Sequence, residues 1–116
     1  MIRLKWATQP DGNWWTLEGW DFSKVTTVGV YFIWCGGNPS INVRPGQGIT
    51  GARITAHKAD PTIMRHKTRG TMYVTWAAVP AHQMDGVERY LADRYQPIEG
   101  DRYPDVVPLV VNLPGE

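Results

Sequence analysis

Hydrophobic residues concentrate in segments whose composition is typical of β-strands. Val28 to Cys35 reads V-G-V-Y-F-I-W-C, and the glycines, asparagine and proline after it predict a buried strand that ends in a hairpin connection. Ile41 to Arg44 then predicts a short return strand, and we expect Pro45 and the next glycines to stop the sheet. Thr71 to Val79, T-M-Y-V-T-W-A-A-V, predicts a third strand.

A short helix is predicted after the glycine-rich segment that follows the return strand. Ile49 to Ala59 carries apolar residues at helical spacing, and Asp60-Pro61 ends the helix. Ile49, Ala52 and Ala56 lie on one face of such a helix, so we expect them to face the core.

A longer helix is predicted from His82 to Tyr95, because its apolar residues recur every three or four positions. That apolar stripe consists of Met84, Val87, Leu91 and Tyr95. The chain after this helix is punctuated by prolines, and Val106 to Leu113 is a candidate edge strand.

The length and composition limit the kind of protein this chain can be. A chain of 116 residues fits one small domain with one hydrophobic core. The single cysteine, Cys35, cannot form an internal disulfide, and no N-terminal run resembles a signal peptide, so we expect a reducing, cytoplasmic setting. The longest apolar run, Val28 to Cys35, is far shorter than the roughly 20 residues that cross a bilayer, which argues against a membrane role.

The formal net charge is only +1, but the charges are unevenly distributed along the chain. Residues 44–69 contain six Lys or Arg and one acid, whereas residues 85–116 contain seven acids and three arginines. The middle of the chain is therefore either a surface that attracts phosphate or a solvated basic face.

The first 27 residues are rich in tryptophan, with Trp6, Trp14, Trp15 and Trp20. Tryptophan side chains either stack on the bases of a single nucleic-acid strand or cover a small hydrophobic core. The sequence leaves both readings open, and the second is the commoner case.

Gly46 to Gly51, G-Q-G-I-T-G, fits the G-x-G-x-x-G pattern of dinucleotide-binding proteins. Its surroundings disfavour that reading, because Ile41 to Arg44 is best explained as a hairpin arm, and Lys67 and Arg69 stand where a ribose-binding acid is expected. The glycines therefore either present backbone N–H groups to an anion at a helix start or accommodate a turn with positive φ.

Arg53 and His57 lie one helical turn apart, along the edge of the predicted core face. A guanidinium and an imidazole directly after the glycine turn can hold and polarise a phosphate group. Alternatively, His57 is a surface or capping histidine, and Arg53 only lays its aliphatic stem along apolar surface.

Glu88 falls inside the apolar stripe of the second helix, so its carboxylate is expected to be partly desolvated. A buried unpaired charge is costly and requires a partner. That partner is either Arg53, in a structural ion pair, or a divalent cation such as Mg²⁺, which proteins commonly hold with one or two carboxylates.

Several short motifs occur in a fixed order between Gly29 and Pro97. They are Gly29-Val30-Tyr31, Arg44-Pro45-Gly46, Gly46-Gln47-Gly48, Arg53-x-x-x-His57, the segment G-V-E-R-Y-L that contains Glu88, and Tyr95-Gln96-Pro97. In this order they resemble the motifs of the GIY-YIG nuclease superfamily. The specificity of the resemblance comes from the order, since no single motif is distinctive.

The resemblance implies a fold and an activity. The fold is a small α/β domain of the α+β type, with a three-stranded antiparallel sheet flanked by helices. Residues 28–116 correspond to this domain with a proline-rich tail, and residues 1–27 are expected to form a Trp-rich extension that packs on it. The activity is the hydrolysis of DNA phosphodiester bonds with Mg²⁺ or Mn²⁺ as cofactor.

The resemblance also implies roles for individual residues. Glu88 binds the metal ion, Arg53 stabilises the transition state, Tyr31 helps to activate the attacking water, and His57 orients groups or relays a proton. Four further residues are expected to contact the nucleic acid, namely Arg44, Gly46, Gly48 and Lys58. A homodimer or a partner protein is expected to supply the choice of target.

The chain departs from the family pattern at two positions. Arg44 replaces the second tyrosine and cannot accept a proton, and the expected asparagine after Pro97 is missing, with Asn112 as a distant substitute. The alternatives to an active endonuclease are therefore a nucleic-acid-binding module without catalysis and a protein-interaction module, either of which retains the fold.

Overall fold

The computed structural model describes residues 1–100 and 102–116. The elements are, in chain order, β1 (Trp15–Thr16), β2 (Val28–Cys35), β3 (Ile41–Ile49), α1 (Thr50–Lys58), α2 (Pro61–Met64), a 3₁₀ helix (Arg65–Arg69), β4 (Met72–Ala78) and α3 (Ala81–Tyr95). The fold is an antiparallel sheet flanked by helices, which confirms the predicted α+β class.

The four strands form one antiparallel sheet in the order β1-β4-β2-β3. The three predicted strands make up its body, and Trp15–Thr16 adds a fourth, two-residue strand beside β4. β2 lies in the interior, where Tyr31 is opposite Gly46 on one side and Trp76 on the other. Helices or loops cover both faces of β2, which explains its nearly continuous apolar sequence.

The prediction that Pro45 stops the sheet is wrong. β3 runs from Ile41 through Pro45 to Ile49, and Pro45 pairs with Phe32 of β2. A proline is tolerated here because β3 is an edge strand, where the missing N–H can face away from the sheet. The consequence is that the glycine segment Gly46-Gln47-Gly48 belongs to the edge of the sheet rather than to a free turn.

Apolar clusters lie on both sides of the sheet, because alternate residues of β2 point to opposite faces. Tyr31 and Ile33 pack in one cluster with Ile54 of α1. Val30 packs in the other with Val87 and Leu91 of α3. Residues 1–27 contribute to both clusters, through Leu17 and Phe22 on the α1 side and through Leu4 on the α3 side.

The predicted inner face of α1 is wrong, although the helix itself is confirmed. Ile49 is 53% exposed, and Ala52 and Ala56 are also exposed. The buried side of the helix instead carries Gly51, where a Cβ would lie 2.2 Å from the carbonyl oxygen of Val25. This close backbone contact turns the glycine inward, and the alanines therefore face solvent.

α3 agrees closely with its predicted range and face. Val87 and Leu91 are fully buried, whereas Met84 and Tyr95 are half-buried at the two ends of the stripe. Glu88 lies among them and is only 8% exposed. The position of this carboxylate inside the apolar stripe is thus confirmed.

The chain after α3 does not form the strand predicted from Val106 to Leu113. Its regular pairing within the described residues is a single bridge between Val111 and Ile2. Pro108 helps to explain the result, because it lies inside the predicted strand and removes a backbone donor that the strand would need. Among residues 1–100 and 102–116, none of the helices has both the length and the apolar character that a membrane crossing requires.

Candidate functional site

Tyr31 reaches across the sheet edge because Gly46 has no side chain. The two residues are paired on neighbouring strands, and a Cβ on Gly46 would lie 2.1 Å from Tyr31 Oη and 2.2 Å from Cζ. The phenol ring therefore occupies the place of a side chain on β3. This brings the hydroxyl of a fully buried residue on an interior strand to the glycine segment at the sheet edge.

His57 of α1 contacts the phenol directly. Its Nε2 lies 2.6 Å from Tyr31 Oη, within hydrogen-bonding distance. Burial, followed by the charges of Arg44 and Arg53, lowers the pKa of His57 to about 4. The imidazole is therefore neutral at pH 7, and a neutral imidazole nitrogen can accept the phenol proton.

Tyr31 remains protonated at neutral pH, because burial raises the pKa of its phenol. The positive charges of Arg44 and Arg53 act in the opposite direction and favour the phenolate. A hydroxyl with a neutral base on one side and guanidinium groups nearby is suited to pass a proton along a hydrogen bond.

Glu88 approaches the glycine segment from α3, which packs on the opposite face of the sheet from α1. Gln47 Nε2 donates hydrogen bonds to Glu88 Oε1 at 2.9 Å and to Asp85 Oδ1 at 2.7 Å. Burial raises the pKa of Glu88, with the neighbouring Asp85 carboxylate acting in the same direction, whereas the Gln47 hydrogen bond and the charges of Arg44 and Arg53 lower it. One amide group thus links two carboxylates at the glycine segment.

Arg53 does not form the structural ion pair with Glu88 that the sequence offered as an alternative. The ion pairs among residues 1–100 and 102–116 are Arg65 with Glu99, His66 with Glu99, Lys67 with Glu18, and Arg89 with Asp93. Glu88 therefore keeps a buried carboxylate that no direct cation neutralises. Its protein partner is the neutral amide of Gln47.

Two arginines act on all three of these titratable groups. Arg44 on β3 and Arg53 on α1 each shift the pKa of Tyr31, His57 and Glu88 through their charge. Arg44 is half-buried, and its Nε is buried without a hydrogen-bond partner within the described chain. An anion such as phosphate would supply the acceptor that this guanidinium N–H lacks, once the side chain turns to meet it.

Gly48 allows the chain to turn from β3 into α1. Its φ is +129°, a conformation that side chains other than glycine rarely adopt. A Cβ at this position would also lie 3.4 Å from Cγ of Arg53. Gly48 therefore permits both the sharp turn and the close approach of the Arg53 stem.

The carboxylates fit a hard divalent cation with a small number of protein ligands. Within the part of the chain that the structure describes, no group of three or more His, Cys, Asp or Glu side chains is placed to hold a metal ion. Mg²⁺, however, is commonly held by one or two carboxylates, with waters and substrate phosphates completing its coordination. Asp85 and Glu88 meet that requirement, and their link through Gln47 keeps them close together.

Lys58 and Asn112 lie outside this group of residues. Lys58 Nζ donates to the carbonyl of Trp20 and lies 5.3 Å from the centre of the Phe22 ring. The side chain of Asn112 accepts from the N–H of Leu4 at 2.6 Å and donates to its carbonyl at 2.9 Å. The amide of Asn112 therefore joins the C-terminal segment of the chain to the N-terminal segment.

Sequence reasoning missed two residues of the site, Gln47 and Asp85. Gln47 is the one residue between Gly46 and Gly48, and its side chain carries an amide. Its contact with α3 depends on β3 continuing past Pro45, which the sequence did not indicate. Asp85 precedes Glu88 by three residues on α3, a spacing that places both on one helix face.

Comparisons of the chain with protein-family models, with curated proteins and with solved structures found no match. The function must therefore be inferred from the order of the motifs and from the geometry of the side chains.

Proposed function

We propose that this protein is a divalent-cation-dependent endonuclease of the GIY-YIG type, which hydrolyses phosphodiester bonds of DNA. The observation that carries the proposal is that two contacts fall on adjacent residues of β3: the Tyr31–His57 pair packs against Gly46, and Glu88 accepts a hydrogen bond from Gln47. Tyr31, His57 and Glu88 come from three separate elements, and the motif order predicted them as one site. Arg44 and Arg53 add positive charge at the same place.

The Tyr31–His57 pair supplies the path for the proton of the attacking water. In hydrolysis the water oxygen bonds to phosphorus while the bond from phosphorus to one nucleoside oxygen breaks. Tyr31 Oη takes the water proton as it passes its own to His57 Nε2, and the leaving oxygen takes a proton from solvent. A phosphate bound nearby adds negative charge that raises the pKa of His57 from about 4, which makes it a better acceptor.

Arg44 and Arg53 stabilise the negative charge that develops on the phosphate oxygens. Guanidinium groups form charge-assisted hydrogen bonds with such oxygens, and their effect is greatest when they are partly removed from water. The unpartnered Nε of Arg44 is one donor that this role would satisfy. The replacement of the second tyrosine by arginine is therefore compatible with catalysis, since the Tyr31–His57 pair provides the proton path without it.

Glu88 and Asp85 are the residues that would hold Mg²⁺ or Mn²⁺. Rotation of the Gln47 amide by half a turn would present its oxygen to the same place, because the amide nitrogen already bridges both carboxylates. A bound cation of this kind stabilises negative charge on the reacting phosphate as a Lewis acid.

The proposal is tested by incubating the purified protein with plasmid and single-stranded DNA in the presence of Mg²⁺ or Mn²⁺. Glu88→Gln and Tyr31→Phe should each reduce cleavage by about a hundredfold or more, the loss typical of removing a proton-transfer or charge-stabilising group. Asp93→Asn is the matched control, because Asp93 lies on the same helix and is exposed and paired with Arg89.

The result that would overturn the proposal is an absence of cleavage by the wild type, or cleavage that Glu88→Gln does not change. Binding of Mn²⁺, followed through the electron paramagnetic resonance signal of the free ion, gives a second readout. The wild type and Asp93→Asn should bind Mn²⁺, whereas Glu88→Gln should not.

A nucleic-acid-binding module without catalysis is the second candidate, and Arg44 favours it. Arg44 stands where the family pattern has a tyrosine, and a bound phosphate would satisfy its unpartnered Nε whether or not cleavage follows. In that case the wild type would bind DNA with an affinity that falls steeply with salt, because phosphate contacts release counterions. It would bind without cleaving in any divalent metal.

A further inference from the structure

An aromatic pocket opens on the face of the sheet against which α3 packs, where the helix ends at Tyr95. Its volume is about 180 Å³, and its lining consists of Trp14, Phe32, Trp34, Asn42, Tyr95 and Pro114. Phe32 and Trp34 alternate with Tyr31 and Ile33 along β2, so they share the face of Val30 and α3. The function proposed above makes no use of this pocket.

The rings of the pocket are arranged as a row of parallel planes with one perpendicular wall. Phe32 stacks on Tyr95 with ring centres 4.2 Å apart, and on Trp34 with ring centres 5.9 Å apart. Trp14 stands at 87° to Trp34, with ring centres 5.4 Å apart. Flat ring faces beside an open cavity provide a surface on which another planar ring can stack.

Asn42 gives the pocket a polar group with a fixed direction. Its Nδ2 donates to the carbonyl of Tyr95 at 3.2 Å, and none of the residues that the structure describes donates to its Oδ1. A held amide with a free acceptor can recognise an amino group at the edge of a nucleobase. The residues that line the pocket carry no charge, which disfavours a phosphate as the occupant.

The pocket lies further along α3 than Glu88, towards the C-terminal end of the helix. Tyr95 follows Glu88 by seven residues, or about two helical turns, which corresponds to roughly 10 Å along the axis. Successive phosphates of one strand advance by about 3.4 Å along a duplex and by more where the strand is unpaired and extended, so at most about three nucleotides cover this distance. A strand whose phosphate lies beside Glu88 can therefore place a base a few nucleotides away at Tyr95, on the α3 side of the sheet.

We propose that this pocket binds an unpaired nucleobase of the strand that is cut. The location of the base rests on the proposed nuclease function. A base-binding pocket near the site narrows the substrate of that function to nucleic acid with unpaired bases near the cleaved bond. Stacking on aromatic rings tolerates any base, whereas the Asn42 amide favours bases that present an amino group.

The experiment compares a short single-stranded oligodeoxyadenylate with an abasic oligonucleotide of the same length and phosphate content. Binding to the full chain is measured in EDTA by quenching of tryptophan fluorescence and by anisotropy of end-labelled oligonucleotides. The wild type should bind the adenine-containing strand about tenfold more tightly than the abasic strand, since one stacked base contributes that much. Trp34→Leu and Trp14→Leu should abolish the difference and leave the affinity for the abasic strand unchanged.

Trp20→Leu is the matched control, because Trp20 is 44% exposed and packs on Trp15, outside the pocket. It should retain the tenfold preference. Asn42→Ala is a milder variant that keeps every ring, and it should reduce the preference for adenine over thymine in oligonucleotides of equal length. The free energy of unfolding of each variant shows whether the fold is retained.

The proposal is overturned if adenine-containing and abasic strands bind equally, or if Trp34→Leu retains the preference in a folded protein. Quenching by a proline-rich peptide or by tetramethylammonium, with none by the oligonucleotide, would assign the pocket to a different ligand. The nuclease proposal is judged separately, because binding is measured without metal. A base preference that survives in Glu88→Gln supports the pocket even if cleavage is never observed.

Discussion

The phenol ring of Tyr31 lies where a side chain on Gly46, its partner on the neighbouring strand, would be. The ideal Cβ of an alanine at this position would be 2.1 Å from Tyr31 Oη, 2.2 Å from Cζ and 2.6 Å from Cε1. No relaxation of a fraction of an ångström removes contacts of this kind. The absence of a side chain at Gly46 therefore allows the phenol to lie beside His57. A larger residue at position 46 would displace the phenol.

Gly46→Ala should therefore destabilise the protein by about 1–3 kcal/mol, the usual cost of overpacking a core. The cost should depend on the ring at position 31. In a Tyr31→Ala background the obstacle is gone and Gly46→Ala should cost little, whereas in Tyr31→Phe the Cζ atom remains and the cost should persist. The free energy of unfolding in urea, measured for all six proteins, gives these differences.

An equal cost of Gly46→Ala in all three backgrounds would show that the glycine is needed for a reason other than the Tyr31 ring. If the protein cleaves DNA as proposed, cleavage provides an independent check, because Gly46→Ala moves the hydroxyl away from His57. It should lose cleavage even under conditions in which the variant is fully folded.

The stability of the protein should fall in mild acid because His57 is buried in its neutral form. Its folded pKa of about 4 lies below the ordinary value of 6.5, so the unfolded chain binds more protons between these two pH values. Stability is therefore complete above about pH 6.5 and is lost as the pH falls towards 4, by up to about 3 kcal/mol. Burial is the largest cause of this lowered pKa, the charges of Arg44 and Arg53 contribute to it, and Asp60 opposes it.

His57→Gln should remove this part of the acid dependence while retaining a hydrogen-bonding side chain. The free energy of unfolding of the variant, relative to wild type, should rise by up to about 3 kcal/mol between pH 6.5 and pH 4. His82→Gln, at an exposed position on α3, is the control and should follow the wild-type profile. Parallel profiles for wild type and His57→Gln would mean that His57 takes up its proton as readily in the folded state.

The fold could be predicted from the sequence wherever a local pattern was sufficient. β2, β4 and α3 were identified because an apolar run or an apolar stripe reports burial directly. The end of β3 and the inner face of α1 could not be found in this way. Pro45 is permitted by the edge position of its strand, and Gly51 faces inward because the backbone of residues 22–25 lies against it, so both depend on tertiary contacts.

Only part of the candidate site could be predicted, because most of its contacts also depend on tertiary structure rather than on a local pattern. Glu88 was identified because a carboxylate in an apolar stripe breaks a local pattern, and the structure shows it buried. The contact between Tyr31 and His57 joins residues 26 positions apart, which only the resemblance of motif order anticipated. Gln47 and Asp85 break no pattern, since a glutamine between glycines and an acid on an exposed helix position are both ordinary.

Asn112 should matter for stability and not for cleavage. Its amide satisfies both the N–H and the carbonyl of Leu4, and Asn112→Ala leaves these buried groups without partners. We expect a loss of about 2–4 kcal/mol in the free energy of unfolding, with cleavage per folded molecule unchanged. Asn13→Ala, which removes an exposed contact with Asp11, is the control and should cost less than about 1 kcal/mol. A loss of cleavage in a fully stable Asn112 variant would instead restore this residue as the asparagine of the family pattern.

The contribution of Gln47 should depend on pH, because it donates to carboxylates whose ionisation changes with pH. The hydrogen bond from Gln47 lowers the pKa of Glu88 against the effect of burial, so Gln47→Leu should raise that pKa further. A raised folded pKa gives stability that is lost as the pH rises through it, and the variant should therefore be destabilised more at pH 8 than at pH 4. We expect the difference to be about 1–2 kcal/mol, as is typical of a hydrogen bond to a charged group. In a Glu88→Gln background this difference should shrink, leaving the smaller effect of the exposed Asp85 carboxylate. A penalty for Gln47→Leu that is equal at both pH values would mean that the amide packs against Glu88 without sensing its charge.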